Sequence, residues 1–164
     1  MLFHVSVEAD DPRRTAALLA EFWGGEAFPF PAVTPGAWMA MAPDDRGTII
    51  EVYPRGTELH PADDGATGVR VTPRRHNATH FAIATRMSRA QVMAIAAREG
   101  IAAGYFQRGG RFGVIELWID GCMMIEVLTE EMQRDYMESI SIPNARAMVA
   151  AMSDHYGIVA NRAA

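Results

Sequence analysis

The stretch Thr79-His80-Phe81-Ala82-Ile83-Ala84 decides the fold of this chain, because an earlier segment echoes it. A histidine opens a short run of alternating residues, the pattern of a strand with one apolar face. His4-Val5-Ser6-Val7 does the same at an offset of 76 (80 − 4). At that offset Arg13 falls on Arg89 and Gly24 on Gly100. Ile50-Glu51-Val52 recurs as Ile125-Glu126-Val127 at an offset of 75 (126 − 51). Two histidines and two glutamates therefore hold equivalent places in two equivalent halves.

Each half reads β-α-β-β-β. In the first, 2–8 alternates as a strand, and Asp11-Pro12 starts a helix with an N-cap acceptor and a proline at the first helical position. Ala16, Leu19, Ala20 and Trp23 follow at helical spacing, and Gly24-Gly25 ends the helix. Strands are predicted over 27–30, 37–41 and 48–53, with a turn at 43–47 before the last. Residues 54–77 are irregular and read as the connection, with a short strand at 68–71. The second half opens with a strand over 78–85. Ser88 and Gln91 then form a capping box for a helix that ends at Gly100. Strands over 102–106, 112–118 and 122–128 follow, with turns at Arg108-Gly109-Gly110 and Asp120-Gly121. The tail holds a helix over 144–156 whose Met148, Val149, Met152 and Tyr156 make an apolar stripe. The expected divisions are a first module over 1–56, a connecting loop over 57–77, a second module over 78–129 and a helical extension over 130–164. Together they form one α+β domain of two tandem βαβββ modules, with curved mixed sheets around a pocket.

Composition narrows the function. The chain has 164 residues, 49% hydrophobic and 21% charged, which suits a globular domain with a substantial core. A net charge of -5 argues against a nucleic-acid or anionic-membrane partner. A single cysteine allows no intrachain disulfide, and no apolar run approaches the roughly 20 residues needed to span a bilayer. The first residues enter a strand pattern without a signal-peptide pattern, so the cytoplasm is the expected location.

Strand parity says where the repeated polar residues point, because side chains alternate faces along a strand. Val5, Val7, Ile50, Val52, Phe81, Ile83, Ile125 and Val127 share one apolar face. His4, Glu51, His80 and Glu126 lie on the other. Their neighbours there (Ser6, Glu8, Ile49, Tyr53, Ala78, Ala82, Ala84, Met124 and Leu128) are small or mixed, as in a pocket wall. A lone histidine on such a strand is usually a hydrogen-bonded core residue, and a lone glutamate is usually solvated. A fourfold coincidence of phase and position is different. Two carboxylates on an enclosed face need partners, and a divalent metal bound by His4, Glu51, His80 and Glu126 satisfies them most simply. His60, His76 and His155 have no such support. Cys122 shares the parity of Glu126 but has no basic neighbour in sequence, which suits an inert thiol.

Two βαβββ modules with His, Glu, His, Glu on their first and last strands resemble the vicinal oxygen chelate superfamily, and within it glyoxalase I. Ile49-Ile50-Glu51-Val52 resembles its first glutamate motif and Ala78-Thr79-His80-Phe81-Ala82 its second histidine motif. Asp120-Gly121 before Met124-Ile125-Glu126 resembles the hairpin that leads to its final glutamate. The resemblance covers residues 2–128, and the ligand set suits one divalent ion (Ni, Co, Mn, Fe or Zn), held within one chain or shared between two. The resemblance implies lyase or isomerase chemistry on an oxygen-chelating substrate through an enediolate, with Glu126 or Glu51 moving the proton. Two positions depart from glyoxalase I: Glu8 stands where arginine is usual, and Arg55 where asparagine is usual. A reversed charge at the first repels a glutathione carboxylate, so a small acid is the expected substrate. Glu8, Tyr53, Arg55 and Met124 are the expected substrate contacts, with Glu8 and Arg55 alternatively paired with each other. Open edge strands favour the homodimer. The same superfamily also offers non-heme iron dioxygenases and antibiotic-binding resistance proteins. Four ligands leave too few open positions for the first, and their retention is atypical of the second.

Overall fold

The computed structural model describes residues 2–63 and 65–156, with side chains as far as 151. The first module contains β1 (His4–Ala9), α1 (Pro12–Trp23), β2 (Glu26–Pro29), β3 (Trp38–Met41) and β4 (Ile49–Pro54). The second contains β7 (Phe81–Ala84), α2 (Arg89–Arg98), β8 (Ala102–Arg108), β9 (Phe112–Ile119) and β10 (Met123–Leu128). Each makes a four-stranded sheet, in the orders β1-β4-β3-β2 and β7-β10-β9-β8. The first and last strands of each module run parallel, and all other neighbours are antiparallel. Parallel pairing needs a crossover, and the helix supplies it. The α+β architecture of two tandem modules is as expected from the repeat.

The local signals behave as their chemistry dictates. Asp11 Oδ1 accepts the Arg14 amide (3.0 Å), Pro12 opens α1, and Gly24 closes it at φ 68°. The Ser88–Gln91 capping box forms in both directions. Gly25 is required by space: a Cβ there would lie 2.0 Å from the Met41 carbonyl oxygen. Asp120 (φ 53°) and Gly121 (φ 66°) turn the β9–β10 hairpin through the left-handed region.

Three elements differ from the sequence reading. The connection at 57–77 is not a simple loop: β5 (Thr57–Ala62) and β6 (Gly65–Arg70) form a separate two-stranded hairpin. Exposed, Pro-containing and without hydrophobic alternation, these strands give little period-two signal. Strand β7 is shorter than expected, because Ala78 to His80 stay outside the ladder, with Asn77 Oδ1 accepting the Thr79 amide (2.8 Å). The tail contains two helices, α3 (Glu130–Ser139) and α4 (Ile142–Tyr156). Thr129 caps α3, and Glu130 and Glu131 fill its first turn. The side chains of Met152, His155 and Tyr156 lie outside the described residues.

Helix α1 packs on β2, β3 and β4, α2 on β8, and one core runs through both modules. Leu19, Phe22, Val52, Val92, Ile115, Leu117 and Ile125 are all buried in it. Burying each such side chain contributes about 1.5–3 kcal/mol. Thr85 Oγ1 donates to the Phe22 carbonyl (2.6 Å) inside this core, joining the end of α1 to the entry of α2. Arg98 pairs with Glu21 (2.5 Å) and Arg14 with Glu99 (3.1 Å) across the two helices. These exposed pairs contribute little beside the burial. Among the described residues no helix is long and apolar enough to cross a membrane.

Candidate metal centre

In the first module the parallel register sets His4 beside Ile49, Ser6 beside Glu51 and Glu8 beside Tyr53. Val7, Ala9, Ile50 and Val52 turn into the core, so His4, Ser6, Glu8, Glu51 and Tyr53 share the opposite face. Oε2 of half-buried Glu51 accepts hydrogen bonds from Ser6 Oγ (2.7 Å) and Tyr53 O–H (2.7 Å). Both donors are neutral, and among the described residues no cation pairs with Glu51. Burial, and then the carboxylate beside it, push the Tyr53 phenol up to about 12.

The second module repeats this geometry with different neighbours. Glu126 stands beside Ala82 of β7 and Glu116 of β9, while Ile125 and Val127 are buried on the other face. Nη2 of Arg108, the last residue of β8, donates to Glu116 Oε1 and Glu126 Oε1, each at 2.5 Å. These two bonds hold the guanidinium above its ordinary pKa. His80 precedes β7 and donates from Nδ1 to the Ala78 carbonyl (3.0 Å). That bond uses the Nδ1 proton and leaves Nε2 as the ring nitrogen open to another partner, the arrangement of a metal-ligating imidazole.

One relation is common to both halves. Ser6 faces Glu51 and Ala82 faces Glu126, and a histidine lies two residues before each in sequence, His4 as the first residue of β1 and His80 just ahead of β7. Alternation keeps His4 on the face of Glu51, while His80 stands outside the ladder at the entry to the strand that carries Ala82. The donor set of each half fits a divalent ion of borderline or hard character. One chain does not bring the two halves to a common point. Among the described residues no three His, Cys, Asp or Glu side chains lie close enough to share an ion.

Arg55 stands elsewhere than the sequence reading expected. It lies just beyond β4, buried, with Nε on Asp10 Oδ1 (2.5 Å) and Nη2 on Asp120 Oδ2 (2.6 Å). Asp120 Oδ2 also accepts the Asp10 amide (2.8 Å), and Arg75 donates to Asp10 and to the Asp120 carbonyl. Burial opposes the Arg55 charge, but the two carboxylates outweigh it and raise its pKa. The anticipated Glu8–Arg55 pair does not form, because strand β1 ends beside the hairpin turn that carries Asp120, and that turn presents a second carboxylate. Arg55 bolts the first module to the second. Glu8 instead lines a cavity of about 410 Å³ with Ser6, Tyr53, Leu59 and Arg74, beneath the β5–β6 hairpin. Met124 is half-buried beside Trp118, on the face of Glu126. Cys122 is buried, and His60 pairs with Glu58 (3.1 Å) on the exposed hairpin. A larger cleft of about 790 Å³ opens between the edge strands β1 and β7, lined by His4, Ile49, Phe81, Ala82 and Gln91 among others.

Sequence reasoning did not reach Arg108 and Glu116. Glu116 is the lone acid in Phe112–Ile119, an apolar run like the one around Glu126, and that was a usable signal. Its position opposite Glu126 follows once the hairpin register is known, whereas Arg108 reaches both carboxylates only through the pairing of β8 with β9.

No family model and no curated protein matches the chain. Solved structures do. The fosfomycin resistance protein FosX from Listeria monocytogenes, complexed with Mn(II) and sulfate, superposes with a TM-score of 0.55 at 11% identity, over 85% of this chain and 98% of that one. Lactoylglutathione lyase from Agrobacterium tumefaciens superposes with a TM-score of 0.51 at 11% identity, over 77% and 91%. The chain therefore has the glyoxalase-like fold that its repeated motifs implied.

Proposed function

We propose that the protein is a metal-dependent lyase or isomerase of the glyoxalase type, acting on a small oxygen-chelating acid. One divalent ion is held by His4 and Glu51 of one half-site and His80 and Glu126 of another. Since one chain does not gather the four, the half-sites of two copies meet in a homodimer. The observation that carries this reading is Glu51, a half-buried carboxylate held only by the neutral donors Ser6 and Tyr53, on the strand face it shares with His4. A carboxylate in that setting keeps its demand for a cation. The binding of Mn(II) by FosX supports a divalent ion on this fold.

Bound there, the ion supplies Lewis-acid stabilisation of charge developing on the substrate oxygens. The chain's own residues do the rest. Ser6 and Tyr53 hold Glu51 Oε2 in a fixed orientation, leaving Oε1 free for the cation or for a substrate proton. Tyr53, kept protonated by its raised pKa, remains a hydrogen-bond donor across the ordinary pH range. Arg55 takes no part in binding, because its fork is committed to Asp10 and Asp120.

Metal analysis of protein purified without chelators tests the reading, together with light scattering and turnover of a panel of 2-oxo and hydroxy acids. The expected result is a dimer with one ion per pair of half-sites, lost on Glu51→Gln or His80→Ala. A metal-free protein that also fails to take up Mn2+, Ni2+, Co2+, Fe2+ or Zn2+ would sink it.

A further inference from the structure

The second half-site carries a charge arrangement that the first lacks. Glu116 and Glu126 stand directly opposite each other on β9 and β10, and one oxygen of each is 2.5 Å from Arg108 Nη2. Like charges so placed repel across a sheet, and the guanidinium shared between the two carboxylates offsets that repulsion. In the first half Met39 occupies the place facing Glu51 and needs no cation. Arg108 commits only Nη2: its Nε and Nη1 protons find no acceptor among the described residues. Its side chain is also 36% exposed, against 14% for each glutamate, so the cation is the movable member of the three.

We propose that Arg108 is a built-in counter-cation of the second half-site, which an incoming divalent ion displaces from Glu126 and which Glu116 then retains. The proposal rests on the metal reading above. Arg108 holds Glu126 Oε1, and a divalent ion on either oxygen of that carboxylate would stand within a few ångströms of the guanidinium, where two cations repel one another. Loading is therefore an exchange, and Arg108 and the metal are competing ligands of Glu126. Glu116 makes the exchange easier, because Arg108 leaves one carboxylate without leaving the sheet. The other half-site has no such competitor, so His4 and Glu51 engage the ion without displacing anything charged.

Calorimetry and electron paramagnetic resonance of free Mn2+ test this on the intact protein without recourse to turnover. Arg108→Gln is expected to bind Mn2+ more tightly, on the order of tenfold, within the usual range for two ligands coupled through one site. Glu116→Gln is expected to bind it more weakly, because Arg108 then has Glu126 as its single partner. Arg108→Lys, a shorter and single-pointed cation, falls between wild type and Arg108→Gln, and it decides the matter if the glutamine variant fails to fold. Unchanged or weakened Mn2+ binding in the folded Arg108 variants, with wild type binding normally, overturns the exchange and leaves the metal reading intact. If neither wild type nor any variant binds Mn2+, the metal reading falls and the exchange with it.

Discussion

Replacing Arg55 with methionine separates a structural bolt from a substrate contact. The side chain is 4% exposed, while its partners Asp120 and Asp10 are 18% and 45% exposed. Breaking a fully buried pair by removing one member costs about 3–5 kcal/mol, because the other charge is left without compensation. Asp10 is near the surface and keeps Arg75 (3.2 Å), so its share is of surface size, under about 1 kcal/mol. Asp120 is the stranded charge. An intermediate loss of about 2–3 kcal/mol follows, which for a chain of this size lowers Tm by roughly 4–12 °C. Acidity sharpens the test. Burial pushes the Asp10 carboxyl up, but Arg55 outweighs it and holds the group below its ordinary 3.8. A depressed carboxylate contributes stability above its unfolded value and loses it as pH falls through the folded value. The Tm gap between wild type and Arg55→Met should thus be full at about pH 7 and shrink below the ordinary carboxylate range. Circular dichroism melts across that range measure it. Equal Tm values near neutrality would refute the bolt, and lost turnover with an unchanged melt would restore Arg55 to the substrate.

Gly25→Ala should destabilise far more than an ordinary surface change, because the new Cβ would lie 2.0 Å from a backbone oxygen and 3.1 Å from its carbon, neither of which can rotate away. A melt within a degree or two of wild type would contradict that close approach. Tyr53→Phe removes one of two donors to Glu51 and should cost about 0.5–1.5 kcal/mol at neutral pH, read from urea unfolding. The phenol's folded pKa of about 12 exceeds its ordinary 10.0, so its contribution is present below 10.0 and lost as pH rises through about 12. Wild type should lose stability across that alkaline window, and a Tyr53→Phe protein that lost as much would show the phenol is not the cause.

Much of the fold was legible because it was written twice. Two histidine-led strands, two helices with explicit caps and two Ile-Glu-Val runs at nearly one offset define the modules, and period-two alternation alone assigns Val7, Ile50, Val52, Ile83, Ile125 and Val127 to the core. The same parity puts His4, Glu51 and Glu126 on the opposite face, because alternation is a local property of the backbone, whereas His80 falls just outside its strand. What the other residues do was not legible, because that depends on contacts between segments far apart in sequence. Arg55 has the parity of Glu51, yet its partners are 45 and 65 residues away, on a strand end and a hairpin turn that only packing brings together. Glu116 and Arg108 acquire their meaning from strand register, and the hairpin at 57–70 carries no hydrophobic period to announce it. Local chemistry names which residues want a cation or a core. Tertiary structure decides which partner each one meets, since a charge is satisfied by whatever lies within a few ångströms of it, and sequence separation does not measure that distance.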